Sequence, residues 1–373
     1  MAKTSKQPKG ATPKDTKGKD SKPKGNKPKD ATARTAKPKD AKSKKAKAGD
    51  AKGKSAKVKD TKGKSATSKD SRSKDAKAAM PKSARKGAVD AEQRPLRTSW
   101  TEALRVEPGT DLASIDPRST PAFDGDKKDG KELLDELADP VSDLQEQLYA
   151  EASAGGNRSL LLVIQGMDTA GKGGIMRHVV GTMDPQGVAL TSFKAPTEEE
   201  KQHPFLWRIR NAVPEPGEIG VFDRSHYEDV LIVRVHDLVP KVQWARRYGQ
   251  ITNFEKRLVE QGTTVVKVML HISKEEQGER LAERLDRSDK HWKYNPADVD
   301  ERGYWEDYQE AYQAVIDKTS TDTAPWFVVP ADRKWYARLA VMNLVREHLQ
   351  AMEPQWPEVD FDVEAEKQRL AES

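Results

Sequence analysis

From Ser159 to Gly174 the chain reads SLLLVIQGMDTAGKGG, and few stretches of this length leave fewer choices of fold. Leu160 to Ile164 form an unbroken aliphatic run suited to a buried strand. The run stops at a glycine-bounded loop, Gly166-Met167-Asp168-Thr169-Ala170-Gly171, followed by Lys172; Ile175 to Val180 then suit a helix. Strand, glycine loop, lysine and helix together cradle phosphate: backbone N–H groups and a helix N-terminus face the anion, and Lys172 reaches the outer phosphates. Gly166, Ala170, Gly171 and Gly173 are thus candidate phosphate-binding positions. The residue after Lys172, where Ser or Thr normally holds a metal, is Gly173. A metal here needs another oxygen, and Asp168 is placed to supply it or to orient the attacking phosphate. The competing reading makes Asp168 a loop carboxylate that caps backbone N–H groups.

Downstream, strand and helix patterns alternate. Strands are expected at 187–193, 218–223, 263–272 and 326–329, and helices at 197–211, 229–235, 243–260, 273–287 and 334–352. Upstream, 131–150 reads as a helix that Pro140 should kink or split, and Leu96, Trp100, Leu104 and Val106 as an extended arm on the core. Alternation of this kind implies an α/β fold, a parallel sheet with helices on both faces and ligands beyond the carboxyl ends of the strands. Gly166 and Asp223 both fall there. Asp223 closes an apolar strand and is the second carboxylate suited to Mg²⁺; Arg224 beside it can clamp a phosphoryl group. In Ser225-His226-Tyr227-Glu228-Asp229, a Ser225/Glu228 capping box is also expected, and His226 reads as a structural or substrate-edge contact. A phosphate acceptor is already ionised and needs no base.

Ser273 with Glu276 signals a capping box opening the 273–287 helix. Arg280, Arg284 and Arg287 share a face of it, either as a lid over phosphates or as partners in ion pairs such as Glu276–Arg280 and Glu283–Arg287. Tyr304, Trp305, Tyr308 and Tyr312 form an aromatic stripe that reads as core.

Charge divides the chain in two. Residues 1–90 hold 30 Lys and Arg against 9 Asp, a net +21, while the remainder holds 36 basic and 51 acidic residues, a net −15. The first stretch has no Phe, Trp, Tyr, Leu or Ile, so it cannot bury enough apolar area to offset chain entropy and is expected to be disordered. It reads either as a polyanion-binding arm for DNA, RNA or polyphosphate, with nucleic-acid binding non-specific because no aromatic can stack on bases, or as a solubilising tail. A histone-like protein that binds polyanions or DNA and carries the P-loop domain as a structural or regulatory passenger is the alternative to an enzyme. The folded part is expected at 91–352, and a polar tail at 353–373. The chain has no cysteine and no apolar run near the roughly 20 residues of a membrane span. With no apolar signal core at its start, a cytoplasmic location away from membranes is expected.

Five segments resemble the polyphosphate kinase 2 family: Gly-Met-Asp-Thr-Ala-Gly-Lys-Gly-Gly (166–174), Ser-Phe-Lys-Ala-Pro-Thr (192–197), Val-Phe-Asp-Arg-Ser-His-Tyr-Glu-Asp-Val (221–230), Asp-Lys-His-Trp-Lys-Tyr-Asn-Pro-Ala-Asp (289–298) and Trp-Phe-Val-Val-Pro-Ala-Asp-Arg-Lys-Trp-Tyr (326–336). The likeness covers roughly 95–350 and excludes the basic tail. It implies a three-layer α/β/α P-loop kinase fold, thymidylate-kinase-like, with a helical lid at about 274–300. It also implies phosphoryl transfer between inorganic polyphosphate and a nucleoside mono- or diphosphate, with Mg²⁺ (Mn²⁺ as the alternative), in a dimer or tetramer. By the same resemblance, Lys172 and the loop hold the transferring phosphates, and Asp168 and Asp223 govern the metal and the acceptor phosphate. Arg224 contacts the transferred group, while Lys194, Arg280 and Lys293 guide the polyphosphate chain; Arg284 lies on the same lid. The family commonly has glycine after the P-loop lysine. The sequence around Glu228 resembles the branch that accepts mono- as well as diphosphates, which makes Glu228 a candidate for acceptor discrimination.

Overall fold

The computed structural model describes residues 99–373, so the expectations for the basic tail and for Leu96 lie outside the described residues. Six strands form one sheet: β1 (Arg105–Val106), β2 (Ser159–Gly166), β3 (Val188–Ser192), β4 (Ile219–Asp223), β5 (Thr263–His271) and β6 (Trp326–Pro330), in the order β1-β6-β5-β2-β4-β3. β2 is central. It runs parallel to β4, with Ile164 opposite Asp223, and to β5, with Gly166 opposite Leu270. Leu160 to Ile164 are fully buried, as a strand covered on both faces requires.

The helices are α1 (Trp100–Leu104), α2 (Lys127–Glu136), α3 (Ala138–Ser153), α4 (Lys172–His178), α5 (Trp207–Arg210), α6 (Ile232–Val235), α7 (Lys241–Glu260), α8 (Lys274–Asp286), α9 (Ala297–Glu301), α10 (Trp305–Thr319), α11 (Lys334–Met352) and α12 (Val363–Ala371). α11 packs with α1 to α4 and against β5 and β6, while α7 packs on β5, α6 and α10. These two groups are the outer layers of an α/β fold. α12, in the polar 353–373 stretch, buries none of its residues. None of the described helices is long and apolar enough to cross a membrane.

Several expectations need correction. The sheet is mixed, because β1 pairs antiparallel with β6. The expected extended arm is instead α1, capped by Ser99, leading into that edge strand. The helix expected at 131–150 is present and is split, as expected near Pro140; the break falls at Leu137, and Pro140 sits in the first turn of α3, where its missing N–H costs nothing. The helix expected at 197–211 starts correctly, with Thr197 and Glu200 exchanging side-chain and backbone bonds at 2.7 and 3.2 Å. It ends after one 3-10 turn, Glu200–Gln202, because Pro204 cannot continue it, and only α5 follows. The helix expected at 229–235 is a 3-10 turn, His226–Asp229, and then α6. Trp305 and Tyr312 of the aromatic stripe are buried, but Tyr304 is exposed.

Candidate active site

β2 delivers the phosphate loop at the carboxyl edge of the sheet. Gly166 has φ 154°, and a Cβ there would lie 2.8 Å from the Leu270 carbonyl oxygen; only glycine keeps β2 and β5 paired to this last residue. Thr169 takes φ 63°, a left-handed backbone that a β-branched residue holds only under constraint. α8 supplies that constraint. Arg280 Nη1 donates to Thr169 O (2.9 Å) and Ala170 O (3.1 Å), and Gln277 Nε2 donates to Asp168 O (3.2 Å). Arg280 Nη2 donates to Ala331 O (2.6 Å) and Asp332 O (2.9 Å), and Nε to Glu276 (2.8 Å). The side chain is 5% exposed. The guanidinium therefore braces the loop against the end of β6, with its N–H groups directed to protein oxygens.

Lys172 opens α4. Its ammonium folds back onto the loop, donating to Gly166 O (2.7 Å) and Met167 O (3.2 Å). Burial, with Arg224 adding to it, holds its pKa below the ordinary lysine range. Asp168 is joined to Arg224 Nη2 at 2.9 Å, and Arg224 Nη1 lies 3.5 Å from Glu228. Burial pulls the Arg224 pKa down, but Glu228 and Asp168 outweigh it and leave it raised. Arg224 also has a left-handed backbone, φ 65°. Asp223 ends β4 and accepts from Ser192 Oγ at 3.3 Å. The Gln165 amide lies 3.0 Å from Ser225 Oγ; turned with its nitrogen toward Glu228, it meets Oε1 at 3.1 Å. It ties the strand of the phosphate loop to the loop after β4.

The two capping boxes are only half formed. Ser273 Oγ accepts from Glu276 N–H (3.1 Å), but the Ser273 N–H donates to Asp332 while Glu276 pairs with Arg280. Ser225 Oγ accepts from Tyr227 N–H (3.2 Å), and Glu228 turns to Arg224. The expected Glu283–Arg287 pair is present at 3.0 Å. His226 is fully buried, its Nε2 3.1 Å from Glu255, which is a structural position.

A cleft of about 470 Å³ collects Asp168 to Gly174, Asp223, Arg224, Arg280, Arg284 and Lys293. Arg284 donates to Lys293 O and Asp298, both at 3.0 Å, and Lys293 is exposed. Lys194, exposed past β3, does not line the cleft; its carbonyl accepts from Arg208 at 2.8 Å. Lys290 lines the cleft as well, together with three residues sequence reasoning missed, Arg177, Lys334 and Arg338. Lys334 and Arg338 lie one turn apart at the start of α11, a spacing that was the available signal. Among the described residues no three His, Asp or Glu side chains form a metal cage of protein alone. Two carboxylates in a phosphate cleft nevertheless suit Mg²⁺, which binds through one or two carboxylates and takes its other ligands from phosphate and water. A larger cavity of about 980 Å³, with Phe205 and Phe254 among its lining residues, shares no residue with the cleft but reaches the same loop at Asp229.

Residues 124–357 match the family described as Polyphosphate kinase 2. The AMP/ADP-polyphosphate phosphotransferase of Meiothermus ruber is 45% identical over 256 residues, 68% of this chain and 94% of that protein. The ADP-polyphosphate phosphotransferase of Rhodopseudomonas palustris is 42% identical over 272 residues, 69% of this chain and 92% of the relative. Among solved structures, polyphosphate kinase 2 from Arthrobacter aurescens TC1 is similar with a TM-score of 0.73 at 56% identity, covering 74% of this chain and 98% of that one.

Proposed function

This chain belongs to the polyphosphate kinase 2 family, and from that premise we propose that it moves a phosphoryl group between inorganic polyphosphate and AMP or ADP, in either direction. The observation that carries the reading is the charge of the cleft. Nine Lys and Arg residues line it against Asp168, Asp223 and Glu283, in a stretch of chain that is otherwise acidic. Such a site suits a polyanion handed from one phosphate to another.

The residues divide the work by what their donors can reach. Lys172 exchanges the carbonyls of Gly166 and Met167 for phosphate oxygens. Arg224, held between Asp168 and Glu228, turns to the group in transfer. Asp168 and Asp223 hold Mg²⁺, with Mn²⁺ as an alternative; when bound, the metal neutralises charge on the phosphates. Arg284, Lys290 and Lys293, from the lid side, hold the polyphosphate chain. Glu228 sets whether the acceptor is a mono- or a diphosphate through its contact with Arg224, and the 980 Å³ cavity receives the acceptor's nucleoside.

Incubation with polyphosphate, Mg²⁺ and either AMP or ADP, followed by chromatography of the nucleotides, tests the reading. ADP or ATP is expected, and no product with either acceptor would end it. Asp168→Asn and Asp223→Asn should each abolish turnover with an unchanged circular dichroism spectrum; retained turnover refutes their roles.

A further inference from the structure

Behind the loop that carries Arg224 lies a charged cluster with no part in the roles above. Lys267 on β5 is 0% exposed, Glu255 on α7 is 1% exposed, and they meet at 2.7 Å. Glu255 also accepts from Tyr227 Oη at 2.7 Å and faces His226 Nε2 at 3.1 Å. Lys267 donates to Tyr227 Oη (3.1 Å) and to Thr319 O (2.7 Å). Packing alone does not call for this arrangement. Two buried charges cost more desolvation than an apolar pair of similar volume, and the neighbours of Lys267 along β5 are Val265, Val266, Val268 and Met269.

The cluster's hold is on two residues, His226 and Tyr227, which stand between Arg224 and Glu228. That loop needs an external hold, because Arg224 adopts φ 65° and such a backbone persists only where its surroundings over-determine it. Tyr227 is fully buried and does not line the cleft, so it can act on the reaction only through the loop.

We propose that Glu255, neutralised by Lys267, is a positioning residue for phosphoryl transfer: through Tyr227 and His226 it sets the loop so that Arg224 is held between Asp168 and Glu228. The inference rests on the proposed function for the identity of the substrates alone.

Glu255→Gln leaves the Lys267 charge buried without a counter-charge and can unfold the chain, so Tyr227→Phe is the deciding variant. It keeps the ring and the ion pair and removes only the hydroxyl. The expected result is a kcat lowered by about 10- to 100-fold, the scale on which small misplacements act. KM for polyphosphate should stay at the wild-type value, because the cleft's lid residues and α4 lie outside the loop. A purely structural role would instead lower the folded fraction and leave kcat per active site unchanged. A crystal structure of Tyr227→Phe gives a second readout that needs no turnover. Arg224 should leave Asp168, and a contact kept at the present 2.9 Å overturns the inference. Wild-type enzyme without transferase activity would sink the proposed function; active wild type with Tyr227→Phe at wild-type kcat would sink the positioning role alone.

Discussion

Replacing Arg280 separates a brace from a substrate guide. Arg280→Lys keeps the positive charge but loses the planar fork that reaches Thr169 and Ala170 on one side and Ala331 and Asp332 on the other. A single ammonium cannot span both sides, so at least two carbonyl bonds to a charged donor are lost. At about 1.5–3 kcal/mol each, the loss is about 3–6 kcal/mol. Set against a typical total stability of about 5–15 kcal/mol, that is a severe change. With an m-value of about 3 kcal/mol/M in urea, the midpoint should fall by about 1–2 M, read by tryptophan fluorescence. The folded fraction should show a lower kcat, because the φ 63° backbone at Thr169 loses its restraint, and an unchanged KM for polyphosphate. A guide residue gives the reverse pattern: Arg280→Lys would be as stable as the wild type, and Arg280→Met would raise KM for polyphosphate without moving the urea midpoint. That outcome would refute the reading of Arg280 as a brace.

Two further expectations follow from charge. Burial lowers the Lys172 pKa, and the ammonium is the form that binds phosphate; activity should therefore be present below that pKa and lost as pH rises through it. Bound phosphate favours the ammonium, so the basic limb of kcat/KM should lie at lower pH than that of kcat, and coincident limbs, or Lys172→Arg with an unmoved limb, would contradict this. Deleting residues 1–90, which carry +21, should weaken retention on immobilised DNA or long polyphosphate, most at low salt, and spare turnover on short chains; equal retention with and without the segment rules that role out.

What could be read beforehand depended on how local its cause was. The phosphate loop and its strand were legible because an aliphatic run, a glycine and a lysine act on their own neighbourhood. Helix α7 was legible because its apolar face repeats over several turns, and α11 because apolar residues run through most of its length. The 197–211 stretch reads as one helix because its start signal is genuine, yet Pro204 ends it after a single turn. The bracing contacts of Arg280 are hidden for a different reason: spacing says which side chains share a helix face, but not that the facing groups are four backbone carbonyls. Lys267 and Glu255 carried no signal at all. A lone lysine in a valine-rich strand reads as an exposed edge, and its partner is a helix residue that only the folded sheet brings to 2.7 Å. Gln165 and Gln277 were passed over because an amide gains meaning only from what it bridges.

The central place of β2 has a consequence during synthesis. Its partners β4 and β5 begin at Ile219 and Thr263, well after Ser159. At about 5–20 residues per second, the ribosome leaves this apolar, uncharged strand without its second neighbour for about 5–20 s. A stretch that is rich in aliphatics and free of proline and charge can pair with the same stretch of another nascent chain.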